Sequence, residues 1–293
     1  MSISIVILNF DRPNYIKNNI IPYLDKINLV DEIIISHGKE KTYFESKSKK
    51  VKNYKDWGEN NEKYGLTLRF LNASKANNEA VIIMDDDIIP SKESIKILYE
   101  KFNLEKDRLY GLYGRDFDDN QKYNKENVFG YVPVVLTRCL ITHRELTRYF
   151  LVKFRSIENE MIKNSKPYWN GEDILFSLLS IEKYGKLPQA LDLKHHNRII
   201  NYLILEQGIS TGENNHDIYR KNLSQYLTKK LNLEDKIRKE TKVEKRKNQF
   251  NYFFFNSVLF YFFFIPFIIV SFYFFRYYYF KNGKITNNYD VKK

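Results

Sequence analysis

Short apolar runs alternate with polar segments of helical spacing along the first part of the chain. Residues 3–8 (Ile-Ser-Ile-Val-Ile-Leu) form an apolar run of the kind a parallel strand shows when both its faces are buried. A polar turn, Asn9-Phe10-Asp11-Arg12-Pro13-Asn14, follows, and Tyr15, Ile16, Asn19, Ile20 and Tyr23 then recur at helical spacing. Ile33-Ile34-Ile35 predicts a second strand that ends at Ser36-His37-Gly38. Residues 39–65 are polar and lysine-rich and predict a loop with a little helix, while 66–71 fit either a strand or the start of a helix. The clearest strand is Ala80-Val81-Ile82-Ile83-Met84, which runs straight into Asp85-Asp86-Asp87. Ser91 predicts the N-cap of a helix reaching Phe102, and 109–113 predicts another strand. Strands alternating with helices in this order predict an α/β fold, a mixed but mainly parallel sheet flanked by helices. Residues 114–150 have mixed, strand-like character, 171–184 predict a helix opened by Gly171-Glu172-Asp173, and 186–232 carry loops and short elements.

The pattern changes near the C-terminus. Residues 248–275 contain no charge, and Ser257–Phe275 is strongly apolar. As a helix that core would reach about 28 Å, close to the roughly 30 Å of a bilayer interior. Arg276 and Tyr277-Tyr278-Tyr279 follow, as interfacial anchors do. Pro266 leaves a kinked, re-entrant or in-plane helix open beside a straight span. The expected organisation is a catalytic domain over 1–228, a basic linker over 229–247, a hydrophobic membrane-associated segment over 248–280 and a polar tail over 281–293.

Charge supports that division. The chain has 293 residues and a formal net charge of +12. Residues 229–293 carry 14 Lys and Arg against 5 Asp and Glu, so the body before them is nearly neutral. A pI near 9.3 would suggest nucleic acid if the charge covered a domain face. Here it brackets an apolar segment, so a membrane surface is the expected partner and nucleic acid is not. Nine Lys and Arg lie in 229–247 and five after 275, which places the catalytic side in the cytoplasm by the positive-inside bias. The N-terminus has no basic region and no cleavage site, so it reads as a strand and not as a cleavable signal peptide. The single cysteine, Cys139, excludes an intrachain disulfide framework and a Cys-rich zinc site, and reads as a buried thiol.

The chemistry starts at Asp85-Asp86-Asp87. Three carboxylates at the end of a buried strand repel one another and are costly to desolvate. A hard divalent ion, Mn²⁺ or Mg²⁺, shared with a diphosphate would offset them. The position also lies where open α/β sheets bind ligands, beyond the carboxyl ends of the strands. Two enzyme classes use an apolar strand ending in Asp-x-Asp. Phosphatases of the haloacid-dehalogenase type put Thr or Val four positions on, where this chain has Ile89. Nucleotide-sugar transferases use the pattern to hold a metal on a nucleoside diphosphate.

Residues 1–228 resemble the exostosin-like glycosyltransferases of family 64, a GT-A-type fold. The resemblance rests on Ile5 through Arg12 as the first strand and its turn, with Asp11 in an Asn place, and on Val30–Ile35 as the second strand. It continues through Arg69, the Asp85–Asp87 triplet, Asn170-Gly171-Glu172-Asp173-Ile174, and Ile209-Ser210-Thr211-Gly212 followed by His216 and Arg220. Ser36-His37-Gly38 departs from the family's Trp-Asn-Asn.

The resemblance implies transfer of a hexose or N-acetylhexosamine from a UDP-sugar to a hydroxyl of a glycan, glycoprotein or glycolipid, with retention. It assigns Asn9, Arg12 and Arg69 to the nucleotide, and Asp85 and Asp86 to ribose or sugar hydroxyls. Asp87, with Asp85, would hold the metal. Asp173, beside Glu172, would sit at the anomeric carbon and the acceptor hydroxyl, and His216 and Arg220 would neutralise the departing diphosphate. Tyr168 and Trp169 are candidates to stack on a sugar ring, and His195-His196 for a metal ligand. The competing functions are an inverting transferase of the broad family 2 type, an inactive membrane-tethered nucleotide-sugar-binding protein and a Mg²⁺ phosphatase.

Overall fold

The computed structural model describes residues 2–164, 171–202, 216–241 and 271–278. The chain divides into a compact unit, Met1–Thr241, and a second unit, Lys242–Lys293. One half of an eight-stranded sheet in the first unit is parallel. It consists of β1 (Ile3–Asn9), β2 (Val30–His37), β3 (Val51–Lys55) and β4 (Ala80–Met84), in the spatial order β3-β2-β1-β4. β5 (Ile88–Pro90) follows the Asp triplet. β6 (Tyr110–Gly111), β7 (Gly114–Arg115), β8 (Gly130–Tyr131), β9 (Val134–Val135) and β10 (Cys139–His143) come next. β11 (Gln189–Ala190) and β12 (Ile199–Tyr202) are the last. β10 runs antiparallel to β4 and continues the sheet through β6, β11 and β8. β12 pairs with β5 in a separate two-stranded ribbon.

Helices cover both faces. The turn after β1 winds through α1 (Pro13–Tyr15) and a π turn into α2 (Ile21–Asp25). α3 (Glu59–Tyr64) and α4 (Leu68–Ala73) precede β4, and α5 (Lys92–Leu104) follows β5. Ser91 caps α5 as expected, its side chain accepting from the Ser94 N–H at 3.0 Å. α6 (Arg144–Asn164), α7 (Glu172–Tyr184) and α8 (His216–Lys230) complete the set. Successive strand residues point to opposite faces. Ile5, Ile7, Ile82 and Met84 therefore pack with Ile20, Leu24, Ile95 and Phe102 on one side. Val6, Val81 and Ile83 pack with Phe70, Phe150, Phe176 and Leu227 on the other.

One open choice is resolved and two expectations change. Residues 66–71 belong to a helical turn and α4, not a strand. The lysine-rich stretch contains β3, an edge strand whose lysines are tolerated because one side of it is solvated. The compact body runs on past 228: residues 234–241 are helical, and Leu233 and Ile237 are buried in the core. Residues 248–270, which carry most of the predicted membrane segment, lie outside the described residues. Residues 271–278 are helical and exposed. Among the described residues no helix is long and apolar enough to cross a membrane.

Phe70 sits at the centre of the second core with its ring 4.3 Å from those of Phe150 and Phe176, one residue from Arg69. We expect Phe70→Ala to cost about 3–5 kcal/mol in denaturant unfolding. Truncating the exposed Leu104 should stay within about 0.5 kcal/mol.

Candidate functional site

Strand register builds the site. Ile7 pairs with Ile35 on one side and Met84 on the other, and Cys139 lies opposite Met84. The segments 8–12, 36–38, 85–87 and 137–138 therefore leave the sheet at one edge. The Asp85 N–H donates to the Arg138 carbonyl at 3.1 Å and fixes the start of the triplet.

Opposed charges link the parts of this edge. Arg12 ion-pairs with the buried Asp86. Arg69, 6% exposed, donates from Nη1 to Asp85 Oδ1 at 2.9 Å and to Thr137 Oγ1 at 2.6 Å. Its Nε donates to the Leu66 carbonyl at 3.1 Å. The same Nη1 lies 4.0 Å from Glu172 Oε1, which Thr137 also reaches at 3.5 Å. Arg69 thus ties the triplet to the first turn of α7. Asp173 follows in that turn, with Oδ2 3.4 Å from Arg220 Nη2 of α8. The N-terminal end of a helix favours carboxylates there.

Gly171 lets α8 approach. Its φ is +151°, and a Cβ on it would stand 2.3 Å from Leu223 Cδ2. A side chain at this position would be strained at that φ and would force the Leu223 side chain to move.

Burial raises the protonation constants of Asp86, Asp87 and Glu172. Asp86 is pushed up to about 6, first by burial and then by Asp85 and Asp87, even with Arg12 beside it. Asp87 is raised by burial and by Asp85, with Arg138 and Arg12 pulling the other way. Glu172 is raised by burial and by Asp173 against Arg69 and Arg220. Arg220 is buried too, yet Asp173 holds it more firmly protonated than a free arginine.

Polar atoms are left over at the triplet. Among the described residues Asp86 Oδ2, Asp87 Oδ1, Arg12 Nε, the Tyr15 hydroxyl and Asn9 Oδ1 are buried without a hydrogen-bond partner. Asn9 Nδ2 donates to His37 Nδ1 and to the Thr42 carbonyl, each at 2.9 Å. His37 Nε2 then carries the proton and donates to Asn53 Oδ1 at 2.9 Å. No group of three or more His, Cys, Asp or Glu side chains is gathered to hold a metal among the described residues. The residues fit a divalent ion that takes only one or two carboxylates and completes its shell with phosphate oxygens and water.

The structure brings Arg12, Arg69, Asp85, Asp86, Asp87, Glu172, Asp173 and Arg220 into one network, with Asn9 at its margin. His216 opens α8, and its side chain lies outside the described set, as do Tyr168, Trp169, Asn170 and residues 209–212. His195 and His196 are exposed in a short turn. Cys139 is fully buried in β10, and burial pushes its thiol up to about 12. The sequence reading missed Thr137, which bridges Arg69 and Glu172, and Tyr123, which accepts from Arg220 Nη1 at 2.9 Å. A short strand starting at Cys139 and opposing β4 would have flagged Thr137; Tyr123 carries no local signal.

The sequence matches the family model for the glycosyl transferase family 64 domain over residues 3–250. No curated protein matches. Among solved structures, the crystal structure of S. aureus TarS 1-349 is similar at 16% identity with a TM-score of 0.42. The match covers 66% of this chain and spans 59% of that one.

His37 generates a pH test. Burial holds its pKa below the usual 6.5, so the unfolded chain takes up the proton first. The stability that neutral His37 contributes is complete above 6.5 and is lost as pH falls below it. The destabilisation caused by His37→Gln, which does not titrate, should therefore shrink between about pH 7 and about pH 5. A pH-independent difference in denaturant midpoints would contradict the neutral assignment.

Proposed function

The chain belongs to glycosyl transferase family 64, and from that premise we propose that it moves a hexose or N-acetylhexosamine from a UDP-sugar to an acceptor hydroxyl, with retention and with Mn²⁺ or Mg²⁺. The acceptor is a glycan, glycoprotein or glycolipid. The GT-A arrangement agrees with a sheet whose parallel half delivers the triplet at its carboxyl edge.

One observation carries the reading: the opposed charges gathered at this edge, in the pairs Arg12–Asp86, Arg69–Asp85, Arg69–Glu172 and Arg220–Asp173. Arg12, Arg69, Arg138 and Arg220 face five carboxylates there, so the site holds an excess of negative charge before a donor arrives. A diphosphate adds more. Asp87, assisted by Asp85, would hold a divalent ion, which would supply positive charge opposite the phosphate oxygens.

The chain's own residues take the remaining roles. Asn9, Arg12 and Arg69 hold the nucleotide, and Asp85 and Asp86 accept from ribose or sugar hydroxyls. In support, Arg12 pairs with Asp86 of the triplet, and its Nε has no hydrogen-bond partner. Arg220, with His216, meets the charge that grows on the leaving diphosphate. Asp173 pairs with Arg220 and faces the positive charge that develops at the anomeric carbon. Glu172 is buried behind it and orients Arg69.

The full chain, given Mn²⁺ and a panel of UDP-sugars, is expected to release UDP from one donor. Asp87→Ala should lower that rate by about 10²–10³-fold. Asp173→Asn should abolish turnover and leave UDP binding intact. Failure of every donor to bind or to turn over would remove the transferase reading.

We also propose that the uncharged segment 248–275 holds the catalytic unit at the cytoplasmic face of a membrane. Support comes from its length, its flanking cations, and the exposed aromatic residues of 271–278. The full chain should float with anionic vesicles, and Ile265→Glu with Ile269→Glu should leave it at the bottom of the gradient. Equal flotation of the two proteins would dismiss the anchor.

A further inference from the structure

The loop between β7 and β8 is bound to α8 over a long sequence separation. Ser224 Oγ accepts from the Tyr123 N–H at 2.9 Å and donates to the Gln121 carbonyl at 2.9 Å. Gln225 Nε2 donates to the Asn120 carbonyl at 2.7 Å, and Lys125 Nζ pairs with Asp217 at 2.8 Å. Gln121 is buried and has a φ of +60°, a conformation that favours glycine. Such a residue persists only where its surroundings over-determine it. What they fix is the next turn of chain, which carries Tyr123.

Tyr123 is 4% exposed. Its hydroxyl accepts from Arg220 Nη1 at 2.9 Å, and the Arg220 Cζ lies 5.2 Å from its ring centroid. Arg220 Nη2 faces Asp173 Oδ2 at 3.4 Å. The two arms of one guanidinium are therefore divided between a neutral hydroxyl and a carboxylate. A guanidinium is a rigid planar fork, so holding one arm fixes the direction of the other.

We infer that Tyr123 is a positioning residue that aims the Arg220 guanidinium at Asp173. This inference rests on the transferase reading above. Without the hydroxyl, Arg220 keeps its charge and the ring beneath it but loses the hydrogen bond that directs its Nη1 arm. The loss falls on the step in which charge grows at the leaving group and the anomeric carbon, not on capture of the donor.

The test compares the full chain with Tyr123→Phe in Mn²⁺-dependent UDP release. The variant should show about 10- to 100-fold lower kcat, the loss expected for one hydrogen bond to a charged group. Its donor KM and its affinity for UDP with Mn²⁺ should stay within about 2-fold. In an Arg220→Gln background the same substitution should cost less than about 2-fold, because the group it positions is gone. An equal loss in both backgrounds, or an unchanged kcat in the single variant, overturns the inference. If Tyr123→Phe does not fold, Ser224→Ala decides. It loosens the loop and keeps the hydroxyl: a lower kcat at unchanged donor KM supports the role, and an unchanged kcat overturns it. Absence of UDP release from the wild-type chain is a different result, because it removes the transferase reading itself.

Discussion

Arg69 is an arginine sealed inside a protein, and its burial is tolerable only because three acids and a threonine surround it. Desolvation works against its charge, while Asp85, Glu172 and Asp173 outweigh it. The dependence runs both ways. Asp85 and Glu172 come from distant parts of the sequence, and without the cation between them they would repel across the sheet edge. Phe70, the next residue, is stacked in the core, so packing fixes the helix that carries Arg69 while its polar partners direct the guanidinium. The hydrophobic core and the polar site are joined at two successive residues of one short helix.

From this follows the arrangement of the remaining charges. Each buried acid of the site has an arginine within reach, yet Asp86 and Asp87 each keep an oxygen that no described group satisfies. Burial and mutual repulsion raise both. The site is thus closed on its Arg69 side and electrostatically open on its triplet side. That polarity suits a reaction in which a charged donor enters and leaves beside a fixed carboxylate.

Much of this was legible in the residues. The strands β1, β2 and β4 are buried on both faces, so their apolar runs are uninterrupted and easy to read. The Asp triplet ends an apolar strand and stands out there, and Glu172-Asp173 open the apolar helix α7. β3 was hidden because an edge strand can be lysine-rich. Thr137 and Tyr123 were hidden because their roles exist only across long separations, to Arg69 and to Arg220. The end of the catalytic unit was placed too early, at 228, because Leu233 and Ile237 are isolated apolar residues among charges and their burial comes from packing, not from periodicity.

The ties between the 116–127 loop and α8 connect residues about one hundred positions apart. Contacts of such separation pay their loop-closure entropy late in folding. The parallel strands and the Asp triplet come from the first ninety residues and can be in place well before that. As the chain leaves the ribosome, the parallel edge with its Asp triplet would thus exist while the Arg220 arm is still being synthesised. Completion of the site is a timed event, set by the arrival of the last helix that packs against Gly171.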